Sequence, residues 1–287
     1  MTVKTALKGL GVIAGLAVVV MTALPTILHS AGLHPTYEGP TYELSGKRAL
    51  IITTSHGVLS EPGETDGPPT GVAASELTHP YYIFTDGGMS VDVASISGGE
   101  VPIDPQTFFY AVRSPEDSRY LEDSVAQAKV ENSIPIADVD ISQYDVVFIS
   151  GGWGAAYDLA QSPVLAEQVT AAYYGTRNPV IGGVCHGVLG LINAKDSDGN
   201  TLIEGRRMTG VSDKQVKELG IEVTPLHPET ELRRVGAIYE KQTAFRDIFA
   251  TLVVVDDEQR FVTGQNQNSG SETSHRMMQI IAERDSS

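Results

Sequence analysis

Apolar residues fall along this chain in two patterns: short solid runs, and longer stretches where they return every third or fourth position. Residues 47–54 (KRALIITT), 91–97 (VDVASIS), 145–150 (DVVFIS) and 179–184 (PVIGGV) are solid runs rich in β-branched side chains and bounded by glycine or polar residues. Runs of this kind predict strands buried on both faces of a parallel sheet. Between them, residues 71–84, 116–130 and 163–174 carry apolar positions at helical spacing. Pro80 is expected to break or kink the first helix, while Pro163 opens the third, where proline is tolerated. Further on, the pattern predicts a turn and short helix over 205–220, a helix over 230–235, a strand over 251–256 and a closing helix over 272–283. Strands alternating with helices imply an α/β fold with a mainly parallel sheet covered on both faces.

The amino end is patterned differently. Lys4 and Lys8 precede an apolar run over residues 9–28, and no charged side chain follows until Glu38. Twenty such residues, at about 1.5 Å each, match the ~30 Å hydrocarbon core of a bilayer. The expected organisation is a cytoplasmic stretch 1–8, a transmembrane signal anchor 9–28, a turn-rich polar linker 29–45 and a globular domain 46–287. Lysines before the run and Glu38 and Glu43 after it place the domain outside the cytoplasm, as a single-pass membrane protein. Secretion after cleavage is the less favoured reading, because residues 29–31 (HSA) make a poor cleavage site.

Composition narrows the function classes. A net charge of −16 argues against a nucleic-acid partner, whose phosphates would be repelled. One cysteine in 287 residues leaves no intrachain disulfide. That residue, Cys185, ends the run PVIGGV and begins HGVL, the outline of a nucleophile elbow: buried strand, sharp glycine-crowded turn, helix. A thiol at a helix amino end is expected to lean toward thiolate. The alternative is a small buried hydrophobe.

Several separated motifs then agree. VCHG at 184–187, SGGWGAAYDL at 150–159 and TG…ELTHPYYIF at 70–84 resemble the PfpI-type family of the class I glutamine amidotransferase-like superfamily. MTGVSD at 208–213 and VTGQNQNS at 262–269 resemble its chaperone-like, glutathione-independent glyoxalase (glyoxalase III) branch. The resemblance spans residues 47–282 and implies a flavodoxin-like three-layer α/β sandwich. It implies Cys185 as nucleophile with His186 beside it, and Glu76 as the carboxylic acid hydrogen-bonded to the thiol. The backbone N–H groups of Gly152 and His186 would form the oxyanion hole. The implied reaction converts a small 2-oxoaldehyde such as methylglyoxal to D-lactate, with no cofactor. Trp153 stands where many glyoxalase-like members carry a histidine.

His56, after the first strand, and His79, near Glu76, are further pocket candidates. Neither has metal-ligand spacing with nearby carboxylates, so no metal is expected. His227-Pro228-Glu229 is taken as a helix start, and His275 as lying on the face of the last helix. Two other classes compete with a glyoxalase: a cysteine amidase or peptidase using Cys185 and His186, and a holdase or redox sensor with an oxidisable thiol. Homodimerisation is left open.

Overall fold

The computed structural model describes residues 20–286. In chain order, strand β1 (Arg48–Thr53), helix α1 (Ala74–Asp86) and β2 (Ser90–Ser95) precede the short helices α2 (Pro115–Tyr120) and α3 (Ser124–Glu131). Next come β3 (Ile134–Pro135), β4 (Val146–Ile149), α4 (Ala155–Asp158), α5 (Pro163–Tyr174) and β5 (Val180–Val184). The remainder supplies β6 (Arg207–Met208), α6 (Asp213–Leu219), α7 (Pro228–Arg234), β7 (Ile238–Tyr239), β8 (Val253–Val255), β9 (Phe261–Gly264) and α8 (Gly270–Asp285). Among the described residues the main sheet has seven strands in the order β3-β2-β1-β4-β5-β9-β8, all parallel except the β8–β9 pair.

Alternation along the central strands explains why both faces are covered. Ala49 and Ile51 of β1 and Phe148 of β4 pack with Leu77 and Phe84 of α1 and Met277 of α8. Leu50, Ile52, Val147 and Ile149 point the other way, to Leu165 and Val169 of α5. Full burial of one such aliphatic side chain contributes about 1.5–3 kcal/mol.

Three local expectations are corrected, and one strand was missed. α1 is not broken at Pro80, which has no N–H for the Glu76 carbonyl; the Ser150 hydroxyl donates to that carbonyl instead, at 2.8 Å. The helix expected over 116–130 is two helices. The Asp123 carboxylate accepts from the N–H groups of Val125 and Ala126 and so starts the second afresh. The turn after β5 is a 3₁₀ helix, Cys185–Leu191, in which Gly187 and Gly190 share the face pressed on Ile149. β9, between β5 and the edge strand β8, was not expected from the pattern.

The expected membrane span, residues 9–28, lies mostly outside the described residues. Its described end is helical, and that helix stops at residue 30. No helix among the described residues is long and apolar enough to cross a membrane. The single-pass, extracytoplasmic placement is corrected on that finding. The helix instead lies against the domain, where the Met21 carbonyl accepts from the Tyr110 hydroxyl at 3.1 Å. Within residues 29–45, Leu33 and Leu44 are buried, the Leu44 N–H donates to the Gly87 carbonyl at 2.7 Å, and Tyr37 stacks on His275 at 4.0 Å.

Candidate active site

β4 and β5 end side by side, and the turns beyond them carry the chemistry. Cys185 follows β5 directly with φ +57°, a left-handed conformation that costs a non-glycine residue about 1–2 kcal/mol. The turn can be this tight because Gly183 and Gly187 bear no Cβ: one would stand 3.1 Å from the Ile149 carbonyl carbon at Gly183, and 2.9 Å at Gly187. β4 continues into Ser150, Gly151 and Gly152. Gly152 has φ +91°, and a Cβ there would meet the backbone of Gly71, Val72 and Ala73.

Glu76 enters this corner from the first turn of α1 and is 1% exposed. Its Oε2 accepts from the Gly151 N–H at 2.9 Å, and its carboxyl also hydrogen-bonds the Gly152 N–H and the Cys185 thiol. Burial pushes the carboxyl up to about 8, against the opposing pull of those three hydrogen bonds. Near neutrality it is therefore protonated and donates to the sulfur. Burial also pushes the Cys185 thiol up, and an ionised Glu76 adds to this, while the N–H groups of His186 and Gly152 pull it down. The thiolate expected from a helix amino end is corrected accordingly: the sulfur lies at a buried 3₁₀ turn, and its environment is set by Glu76 and two amides.

A cavity of ≈ 230 Å³ opens onto Cys185, Glu76, Gly152 and Trp153. Four of the expected residues thus meet in one place. His186 is fully buried behind the sulfur, with Nδ1 3.6 Å from Sγ and its ring edge-on to Trp153 at 5.2 Å. Burial, and secondarily the charge of His227, pushes its imidazole down to about 3, so it is neutral. His79 does not line the cavity. It lies against His34, with ring centres 5.3 Å apart, and burial pushes it down to about 3. His56 also lies outside the lining, stacked on Tyr157 at 4.1 Å with Nε2 bonded to the Val58 carbonyl.

The rest of the wall was not singled out from sequence. Leu33 and His34 come from the expected linker, and Asp104, Gln106, Thr107 and Val112 from the connection after β2; Leu219, Ile248 and Gln267 complete it. Gln267 falls inside the VTGQNQNS motif, so a signal for it existed. Leu219 ends the short helix expected over 205–220, and the others lie in stretches without periodicity.

Fold and site together define an α/β protein with a cysteine on a strained strand-to-turn corner, a neutral carboxyl against its sulfur and paired amides beside it. The chain belongs to the DJ-1/PfpI family, whose model matches residues 69–278. It is 28% identical to Glyoxalase 3 of Candida albicans over 233 residues, 79% of this chain and 94% of that protein. The crystal structure of glyoxalase III from Candida albicans superposes with a TM-score of 0.72 at 26% identity, covering 81% of this chain and 96% of that one. The Rapid Encystment Protein 24 kDa of Francisella tularensis superposes with a TM-score of 0.73 at 33% identity, covering 81% and 98%.

Proposed function

We propose that this chain is a glutathione-independent glyoxalase, built on a flavodoxin-like three-layer sandwich, that converts small 2-oxoaldehydes to 2-hydroxy acids. The observation that carries the reading is the buried Glu76 carboxyl, protonated up to about 8 and hydrogen-bonded to the Cys185 sulfur. The similarity to Candida Glyoxalase 3 supports it.

The residues divide the work as follows. The Cys185 sulfur adds to the aldehyde carbon, and the carbonyl electron pair moves to oxygen, toward the N–H groups of Gly152 and His186. Glu76 gives its proton to that oxygen as it takes the proton of the thiol, which leaves a hemithioacetal and a neutral Glu76. One carboxyl oxygen then takes the C–H proton from the hemithioacetal carbon while the other gives its proton to the neighbouring carbonyl oxygen, forming an enediol. Glu76 next protonates that neighbouring carbon and takes the hydroxyl proton from the carbon bound to sulfur, which gives the thioester and a neutral Glu76 again. One carbon is oxidised as its neighbour is reduced, so no outside oxidant is required. Water then cleaves the resulting 2-hydroxyacyl thioester, releasing the acid and the thiol.

A cysteine hydrolase would rely on an imidazolium beside the thiolate. Burial holds His186 neutral, so that ion pair does not form. The test is incubation with methylglyoxal without glutathione, followed by chiral lactate analysis. D-lactate in amounts equal to the aldehyde consumed is expected; unchanged methylglyoxal would refute the assignment.

A further inference from the structure

The outer wall of the cavity is made by chain that belongs to no strand or helix of the sheet. Residues 31–34 follow the helix that ends at residue 30 and turn, placing Leu33 and His34 in the same lining as Cys185. Several bonds hold them there. The Leu33 N–H donates to the Leu28 carbonyl at 3.0 Å and the Gly32 N–H to the His29 carbonyl at 3.0 Å. Asn268, 3% exposed, grips the segment from the far end of the chain: its Nδ2 donates to the Gly32 carbonyl at 2.9 Å, and its Oδ1 accepts from the His34 N–H at 2.9 Å. The His34 Nε2–H donates to the Val112 carbonyl at 2.7 Å, and the ring lies edge-on to His79.

The backbone records the same constraint. His34 is left-handed at φ +50°, and Gly32 before it has φ +105°. A histidine takes that conformation at a cost of roughly 1–2 kcal/mol, so the surrounding bonds over-determine it. Leu33, flanked by these two turns, is 4% exposed. The space enclosed is ≈ 230 Å³, below the ~300–1,000 Å³ usual for pockets that take drug-sized ligands.

We infer that Leu33 and His34 are specificity-determining residues: they form a wall that admits three-carbon 2-oxoaldehydes to Cys185 and turns away aryl-substituted ones. The substrate half of this inference rests on the glyoxalase reading; the wall itself does not. The side chain that sets the limit is Leu33, apolar and held between two fixed turns. His34 anchors it and shapes the polar edge.

The single cysteine of the chain allows the two to be tested apart, since any thiol reagent reports on Cys185 alone. Leu33→Ala and Leu33→Phe are compared with the parent in two measurements. The first is the ratio of kcat/KM for phenylglyoxal to that for methylglyoxal. The second is the ratio of alkylation rates of the thiol by N-phenylmaleimide and by iodoacetamide. Leu33→Ala, which removes three carbons, should raise both ratios at least about tenfold, the low end of what a single methylene is worth in a hydrophobic pocket. Leu33→Phe should lower both.

Alkylation ratios within about twofold of the parent in both variants, well short of that range, would overturn the wall. A parent that leaves methylglyoxal untouched would sink the glyoxalase reading, while the alkylation ratios still decide the wall. Should Leu33→Ala fail to fold, Asn268→Ala, which frees the segment without changing Leu33, must raise the N-phenylmaleimide ratio. No rise there, together with no fall in Leu33→Phe, overturns the proposal as well.

Discussion

Several carboxyl groups are buried among the described residues, and two of them, Glu76 at 1% exposure and Asp247 at none, make a pair of opposites. Burial alone would push both up. Glu76 goes up to about 8 because its partners are two backbone amides and a thiol, none of which carries positive charge. Asp247 is held down at about 2. There burial is outweighed by the Lys214 ammonium at 2.6 Å, the Ser212 and Thr243 hydroxyls at 2.8 Å each, and the Ala244 N–H at 3.1 Å. The two differ in use as well. Asp247 caps and ties a loop, and its charge is permanent; Glu76 keeps a proton near neutrality and can lend it. What separates the structural carboxylate from the proton carrier here is the set of partners, a cation, two hydroxyls and an amide against two amides and a thiol, together with the greater depth of Glu76.

The largest effects fall on the proton carrier. Cys185→Ala should abolish turnover of methylglyoxal, since no hemithioacetal can form. Glu76→Gln keeps the shape and cannot move protons, so kcat should fall by ~10²–10⁴ with the fold intact. In the parent, kcat should fall as pH rises through about 8, where Glu76 loses its proton. A Glu76→Gln enzyme with nearly parental kcat would place Glu76 with Asp247, as a structural group.

A second consequence concerns stability. Glu76 rises from its ordinary 4.5 to about 8 on folding, so the native state holds a proton that the unfolded chain releases above 4.5. Its contribution is full below 4.5 and is lost as pH rises toward 8. Glu76→Gln removes this cost. The variant should be more stable than the parent at pH 7, on the order of 3 kcal/mol at ~1.4 kcal/mol per unit, less what the amide loses in hydrogen bonding. The gap should close on titration to pH 4.5 in urea unfolding; a constant gap would mean that ionisation is not its origin.

The sequence foretold one half of this comparison better than the other. The runs that became β1, β4 and β5 were legible because strands buried on both faces need unbroken apolar runs, and α5 was legible from Pro163 and its periodicity. β9 escaped because FVTG is short and is a strand only by pairing with β5, some 80 residues earlier. The elbow at Cys185 was local: strand, cysteine, glycines. The neutral state of Glu76, favoured by burial, was expected only through the family resemblance, since the amide that meets it is the Gly151 N–H, 75 positions away. Leu33 and His34 were invisible for a related reason. A segment with no period of its own is held by Asn268, 236 residues distant from Gly32.

The smallest effect sharpens the comparison from the Asp247 side. Lys214 is the cation that Glu76 lacks; it is 40% exposed, and its ammonium also donates to the Ala244 carbonyl at 2.6 Å and the Thr243 hydroxyl at 3.1 Å. Water screens a pair so placed, so Lys214→Met should cost little stability at neutral pH, the smallest change of those considered. Ser212, Thr243 and the Ala244 amide remain, and Asp247 stays ionised, but its hold below the usual carboxylate range weakens. The sign of the pH dependence follows. A carboxyl depressed on folding contributes stability above its unfolded value and loses it as pH falls through its folded one, about 2. The difference between parent and Lys214→Met should therefore be greatest at pH 7 and shrink steadily as the pH falls below 4, in unfolding curves measured at several pH values. A loss that is the same at pH 3 as at pH 7 would mean that Lys214 acts through its aliphatic stem, and that the contrast between the two carboxyls rests on hydrogen bonds to neutral donors and not on the cation.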